Sequence, residues 1–499
     1  MLLGDVLVAH GFVTKEEIEA AIARQARQGG RLGENLVALG MLSEEQLRDA
    51  LDAVPSSPRS LEEVGLEIPA LLDLATKAMQ AGTIETPSKL AELLRLPSRL
   101  GLDLMRAAEQ RQLVESQGMA STHAMGELRY SLTTKGRQWA QNALELSSYV
   151  GPAPVSLEDY VARIRRQRIA GERVPPERVR AALGDLTMSA HLVAQIGPSV
   201  NSGHSILLYG PPGNGKTSVA ERIGQIFSSI IYVPYCFTVA DQIIRVFDPS
   251  LHRVAVTEDS DASGKAPTIL RETIDQRWVA CHRPCVMTGG ELTLEMLDLN
   301  FNPMARFYEA PLHVKALNGV FLIDDFGRQI VSPEALLNRW IVPLSARIDY
   351  LKLHTGKSFS LPFDELVIFS TNMAPSELMD PAFLRRIPYK IEIGAPDMAE
   401  YAAIFRAVAQ TREMVVTDDM IAYVITALTV RNSFPLAAYQ PWFLLDQVLA
   451  SCKYEGSAPV VTREKLDFAI ANLYTKDSPG FGLMRAVPAH EARSMQAVA

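Results

Sequence analysis

The chain has 499 residues, 47% apolar and 21% charged, with net charge −8 and four cysteines. That length exceeds what one core accommodates and predicts about three or four domains. The acidic balance speaks against bulk nucleic-acid coating. Four cysteines are too few for a disulfide framework, and no apolar run is long enough to span a bilayer. The run Met1-Leu2-Leu3-Gly4-Asp5 meets an acid too early for a secretory signal, so the cytoplasm is the expected compartment, without membrane insertion.

Residues 1–54 carry an internal repeat of 29 positions. Leu3-Gly4-Asp5-Val6-Leu7-Val8 returns as Leu32-Gly33-Glu34-Asn35-Leu36-Val37, and Gly11-Phe12-Val13-Thr14 as Gly40-Met41-Leu42-Ser43. Each copy predicts a short helix, a glycine turn and a helix capped by Thr14 or Ser43. A unit this short cannot bury its own apolar face, so the copies are expected to pack together. The pattern resembles the N-terminal domain of type II secretion and pilus-assembly ATPases. Some members of that family bind cyclic di-GMP through a motif that begins Arg-Leu-Gly and ends in Gln. Here Arg31-Leu32-Gly33 begins one copy but ends at Val54, and the other ends in Gln25 but begins at Leu2. Half the polar ligands are missing. Two readings stay open: cyclic di-GMP at Arg31, or a protein-docking module.

Val54 to Ser60 is a linker by composition. Residues 65–146 predict three helices, two strands and a closing helix that starts at Thr133-Thr134-Lys135-Gly136-Arg137. This order resembles a winged helix-turn-helix. Its second helix would present Arg99, Arg106 and Arg111, but also Asp103 and Glu109. Residues 82–140 hold eight Lys/Arg and six Asp/Glu, a balance of +2. That is thin for a phosphate-tracking surface, so both DNA and protein contact stay open. After a second linker at 147–156, Arg163, Arg165, Arg166 and Arg168 share a predicted helix. They read as a solvated face, or as a stripe that pairs with acids of a neighbouring subunit. A helix over 177–196 is expected to lead into a loop at 197–203.

The next stretch organises the chain. Apolar Ser205-Ile206-Leu207-Leu208-Tyr209 reads as a buried strand and is followed by Gly210-Pro211-Pro212-Gly213-Asn214-Gly215-Lys216-Thr217-Ser218. Strand, glycine loop, Lys-Thr and helix make the P-loop pattern. Glycines let backbone N–H groups turn around phosphate oxygens, and the helix N-terminus adds positive dipole. Lys216 would meet the β- and γ-phosphates, and Thr217 would offer a hydroxyl to Mg²⁺. Gly319 to Ile323 predicts a second buried strand, ending in Asp324 and Asp325. Asp324 is assigned to the metal and Asp325 to the attacking water. Leu366 to Thr371 predicts a third strand, ending in Asn372, whose amide can reach the γ-phosphate or the water. Asp380-Pro381-Ala382-Phe383-Leu384-Arg385-Arg386 follows.

These four motifs in this order resemble the AAA+ ATPases over roughly 177–480. The resemblance implies a parallel-sheet α/β nucleotide-binding domain at 177–395 and a helical lid at 396–480, with a flexible tail at 481–499. The fold class is thus multidomain α/β, preceded by the all-α repeat and the winged-helix domain. The family also implies ATP and Mg²⁺ as cofactors, and a homo-oligomeric ring, commonly a hexamer. An arginine of one subunit would reach the γ-phosphate of the next: Arg386 first, Arg385 second. A hairpin around Thr355-Gly356-Lys357 is similar to that of the MoxR-type branch. It makes Lys352, His354 and Lys357 candidate substrate contacts, against the plainer reading of an edge hairpin. Two departures stand out. Asp325 occupies the usual place of Glu. Trp442 sits where a lid arginine is common, with Arg431 only a distant substitute. Cys281 and Cys285 lack a second ligand pair and read as ordinary residues beside a strand. The expected function is ATP-driven remodelling of an unidentified client protein or complex. The alternative is a nucleotide-dependent DNA-bound regulator or cyclic di-GMP-responsive switch.

Overall fold

The computed structural model describes residues 4, 7–8, 12–30, 32–47, 54–82, 84–119, 127–255 and 274–473. Arg31, and with it the candidate cyclic di-GMP contact, lies outside these residues, as does the segment 481–499.

In the N-terminal repeat, α1 (Lys15–Gln28) begins in a reciprocal cap. Thr14 Oγ1 accepts from the Glu17 amide at 3.3 Å and Glu17 accepts from the Thr14 amide at 2.8 Å. Ser43 and Gln46 repeat the device 29 residues later at 3.1 and 2.9 Å. Between them runs α2 (Leu32–Ala38). Leu7, Val13, Ala21, Leu36 and Leu42 from both copies share one small core. Gln25 donates to the Gly30 carbonyl at 2.8 Å, a local turn contact.

The next unit comprises α3 (Ile68–Ala81), α4 (Pro87–Leu94), α5 (Ser98–Gln110), the antiparallel pair β1 (Val114–Met119) and β2 (Leu128–Leu132), and α6 (Thr134–Leu146). Leu71, Leu90, Leu94, Leu100, Leu104 and Tyr130 fill its core. Gly136 is required by packing: a Cβ there would fall 1.9 Å from the Leu113 carbonyl oxygen. Thr133 caps α6, while Lys135 and Arg137 are spent on the carbonyls of Arg111 and Leu132. On α5, Asp103 lies 3.8 Å from both Arg99 and Arg106.

Two expectations are corrected along the following linker. In β3 (Val155–Ser156) and α7 (Leu157–Arg166), Arg163 is not on a solvated face. Its side chain is buried, with the guanidinium 5.8 Å from the Tyr232 ring and 5.9 Å from Trp278. Arg165, Arg166 and Arg168 are exposed. The arginines therefore divide by helix face, because α7 turns its 160, 163 and 164 positions inward. Next, the single helix expected over 177–196 is two, α8 (Pro176–Leu183) and α9 (Ala190–Ser202), and the loop expected at 197–203 is the end of α9. Pro198 disfavours helix locally by ~3 kcal/mol. Burial of Ile196, Ser199 and Val200 against the sheet overrides it, and Asn201 Nδ2 supplies a bond to the Gly197 carbonyl.

The remaining chain mixes strands and helices. It runs β4 (Ile206–Tyr209), α10 (Lys216–Gly224), β5 (Ile230–Pro234), β6 (Cys236–Val239), β7 (Gln242–Arg245), β8 (Trp278–His282) and β9 (Cys285–Thr288). Then come β10 (Asn300–Asn302), β11 (Phe307–Glu309), α11 (Leu312–Lys315), β12 (Val320–Ile323), α12 (Pro333–Ala346), β13 (Ile348–Lys352) and β14 (Ser358–Pro362). β15 (Leu366–Thr371), α13 (Pro375–Leu378), α14 (Pro381–Leu384) and β16 (Tyr389–Glu392) complete this part. Five strands form one wholly parallel sheet in the order β16-β4-β15-β12-β9. The central strands β4, β15 and β12 are buried on both faces, which is why they read as unbroken apolar runs. The fold class is therefore α/β with a parallel sheet and many helices.

A second sheet, β10-β11-β7-β6-β3, is mixed. The stretch 298–308 is mostly the antiparallel β10–β11 pair of this sheet. Arg277, 3% exposed, joins it to the N-terminal half. Arg277 pairs with Asp275 at 2.8 Å and donates to the carbonyls of Val64 (2.6 Å) and Pro154 (3.2 Å). Arg283, between Cys281 and Cys285, is also buried, ion-paired to Glu172 at 3.0 Å. Four helices close the described chain: α15 (Met398–Thr411), α16 (Asp418–Thr426), α17 (Gln440–Glu455) and α18 (Arg463–Leu473), around Tyr401, Phe405, Leu444 and Val448. No described helix is long and apolar enough to cross a membrane.

Candidate functional site: a phosphate cradle under a helical cap

The carboxyl ends of β4, β12 and β15 lie side by side, so the loops that leave them share one crevice. The loop after β4 turns on Gly210, Gly213 and Gly215, with φ of 141°, 79° and 83°. Gly210 also has a packing reason, since a Cβ would lie 2.3 Å from the Ile393 carbonyl oxygen. Gly215 in the left-handed region is the N-cap of α10, leaving that helix's first amides without a side-chain partner. Lys216 Nζ folds back onto the carbonyls of Gly210 (3.0 Å) and Pro211 (2.8 Å). Burial lowers the Lys216 ammonium from its usual range, and Asp325 and Asp324 pull it back.

β12 ends at Ile323, and both acids stand just beyond it. Asp324 Oδ2 accepts from Thr217 Oγ1 at 2.9 Å, which brings together the two groups assigned to a metal. Asp325 has φ +46°, a conformation that Asp tolerates better than most side chains. Its Oδ1 accepts from Asn372 Nδ2 at 2.7 Å, so β15 supplies the amide that orients it. The turn is pinned by Phe326 N–H on the Ser370 carbonyl (2.7 Å) and by Gln329 Nε2 on the Asp324 carbonyl (2.9 Å). Sequence reading missed Gln329, which lies outside the motif and acts only on backbone groups, its Oε1 accepting from the Gly327 amide at 2.8 Å.

Above the loop, the cap closes a cavity of about 490 Å³. Its walls include Asp185 to Met188, the 212–219 segment, both acids, Asn372, Thr411, Tyr439 and Trp442. Tyr439 N–H donates to the Gly213 carbonyl at 2.9 Å, and Ala438 N–H to Asn214 Oδ1 at 3.2 Å. Among the described lining residues, Lys216 is the only Lys or Arg. Arg412 sits 5.2 Å over the Trp442 ring and pairs with Asp446 at 2.7 Å, while Arg431 donates to Tyr423 at 3.2 Å. Neither lines the cavity. Arg385 and Arg386 do not line it either. Arg386 donates to Ser345 (3.1 Å) and to the Ala382 carbonyl (2.7 Å), and Arg385 is exposed.

Elsewhere, β13 and β14 pair antiparallel from Ile348↔Pro362 to Lys352↔Ser358. Lys352 and Lys357 are exposed, whereas the His354 ring stacks on Phe301 at 4.1 Å and bonds Tyr308.

Two family models match parts of the chain. Residues 187–235, which carry β4 and the glycine loop, match the magnesium chelatase subunit ChlI family. Residues 397–472, the cap helices, match a domain of unknown function, DUF8689. The first match supports an AAA+-type nucleotide-binding core. Comparison with curated proteins gives no significant match. Similar solved structures include NtrX from Brucella abortus, 15% identical over 62% of this chain and 60% of that one, with TM-score 0.36. NtrX in complex with ATP is 17% identical over 62% of this chain and 58% of that one, with TM-score 0.34. The chain thus spans about 60% of the length of these structures.

Proposed function

We propose that this chain is an AAA+ ATPase that couples ATP binding and hydrolysis to remodelling of a protein or protein complex. The observation that carries the reading is one convergence in the cavity. Thr217 meets Asp324 at 2.9 Å, and Asn372 meets Asp325 at 2.7 Å, both beside a glycine loop with its lysine. The triphosphate lies along residues 210–218, with backbone amides at the start of α10 as donors and Lys216 released from its loop carbonyls onto phosphate oxygens. The hydroxyl and carboxylate of Thr217 and Asp324 are hard oxygen donors that fit Mg²⁺, which neutralises phosphate charge when bound. Asp325, held by Asn372, orients the attacking water, and the cap excludes bulk solvent.

Among the described residues, one chain supplies a single cavity cation beside three acids, Asp185, Asp324 and Asp325. Charge that grows on the transferring phosphoryl group needs a further fixed cation. That need supports a ring, hexameric by the family resemblance, in which Arg386, or Arg385, serves the neighbour's site. The hairpin tip with Lys352 and Lys357 faces the client, and residues 65–146 act as a winged-helix module for target contact. The pairing of Arg99 and Arg106 with Asp103 favours a protein target over DNA. In the N-terminal repeat, Gln25 is engaged with Gly30, which favours docking over cyclic di-GMP. The compartment is cytoplasmic.

The test is ATP binding by the wild type and by Lys216→Ala, with turnover followed in parallel. Loss of one charged partner predicts roughly hundredfold weaker binding for the variant. Equal binding by both proteins would refute the site.

A further inference from the structure

Among the described residues, no Lys or Arg of the cap helices lines the cavity, so a link between nucleotide and cap has to come from another group. Asn214 is placed to do this. It is 8% exposed, and its Oδ1 holds the Ala438 N–H at the start of the cap's long helix α17. Its Nδ2 is buried and has no hydrogen-bond partner among the described residues, although Asn214 lines the cavity. A buried amide left half-satisfied is unfavourable unless a ligand completes it. The neighbouring contact is just as tight. Gly213 accepts from Tyr439 N–H, and a Cβ on Gly213 would fall 2.3 Å from the Tyr439 ring. Any turn of the 213–215 peptides toward phosphate therefore moves groups on which the cap is already seated.

We propose that Asn214 is a positioning residue that couples nucleotide to the cap: Nδ2 donates to a phosphate oxygen of bound ATP while Oδ1 keeps Ala438. This rests on the ATP reading above. It assigns to a loop amide the signalling that Trp442 and Arg412, locked to each other and to Asp446, are not arranged to give.

Hydrogen exchange separates the two ideas. The full chain is compared with and without magnesium and a slowly hydrolysed ATP analogue, reading peptides 210–218 and 435–443. In the wild type, nucleotide should slow exchange in both, by about fivefold at 435–443 for one added hydrogen bond. Asn214→Ala at saturating nucleotide should keep the response at 210–218 and lose it at 435–443. Asn214→Asp retains the acceptor and loses the donor. It should hold 435–443 at the wild-type rate without nucleotide, yet bind nucleotide roughly tenfold more weakly. A wild-type response at 435–443 in Asn214→Ala would overturn the proposal, as would nucleotide-free exchange in Asn214→Asp equal to that of Asn214→Ala. Slowing at 210–218 but not at 435–443 in the wild type would overturn it while leaving the ATP reading intact. No slowing at 210–218 in the wild type would remove both.

Discussion

At the carboxyl ends of the parallel sheet, Lys216, Asp324 and Asp325 line an open cavity and hold partners that a ligand can exchange. Around the mixed sheet, Arg277 and Asp275 pair while both are buried, and the remaining guanidinium bonds go to the backbone carbonyls of Val64 and Pro154. Both regions concentrate charge, but only one can do chemistry with it. The difference lies in what completes each group: under the proposed function a bound ligand in the first case, the fold itself in the second. Burial alone therefore does not mark a functional residue. Lys216 and Arg277 are both largely buried, and their partners separate them.

The sharpest way to break this contrast is Arg277→Ala. It leaves Asp275 buried and unpaired and uncouples three chain segments, so a loss of ~3–5 kcal/mol in urea unfolding is expected. A change below 1 kcal/mol would make Arg277 no more than a surface charge. Asp325→Asn addresses the other side. Stability should hardly change while steady-state ATP turnover falls by roughly 10²–10³-fold, with binding retained. Unchanged turnover would reassign the water-orienting role.

A smaller, pH-dependent effect separates the two kinds of site further. Burial lowers the Lys77 ammonium to about 8, with Asp73 opposing, and Lys77 donates to the Ser147 carbonyl at 3.0 Å. Between about 8 and its ordinary 10.5, the unfolded chain binds a proton that the folded chain does not. Stability from this group therefore rises with pH across that window. Wild type should gain on Lys77→Met between these pH values in parallel denaturation curves, and parallel flat differences would count against it. The smallest effect belongs to α5. Arg106→Ala should cost less than ~1 kcal/mol because its pair is exposed. It should also leave duplex DNA association undetectable at moderate salt. Salt-dependent duplex binding that weakens in this variant would revive the DNA-bound alternative.

Much of the parallel sheet was legible because each strand and the group at its end occupy fewer than about ten consecutive residues. Val320 to Asp325 and Leu366 to Asn372 announce themselves as apolar runs ending in a carboxylate or an amide. The repeat was legible for the same reason, since Thr14 and Ser43 sit at equal offsets from their helices. The mixed sheet was not. Its strands come from 155–156, 236–245 and 300–309, and none is longer than four residues. Arg163 was misread because a cluster of arginines looks solvated until the helix is rotated against Tyr232 and Trp278. Pro198 suggested a loop because propensity is local, while the packing that keeps it helical is not.

The sequence by itself determined the phosphate loop, the acids and amide at the strand ends, and the repeat, since local order and side-chain chemistry suffice for these. Only the tertiary structure decided that Thr217 meets Asp324, that Asn372 holds Asp325, and that the cap rests on Gly213 and Asn214. Those contacts join residues 47 to 226 positions apart, and nothing short of the packed sheet brings such distant groups within a hydrogen bond.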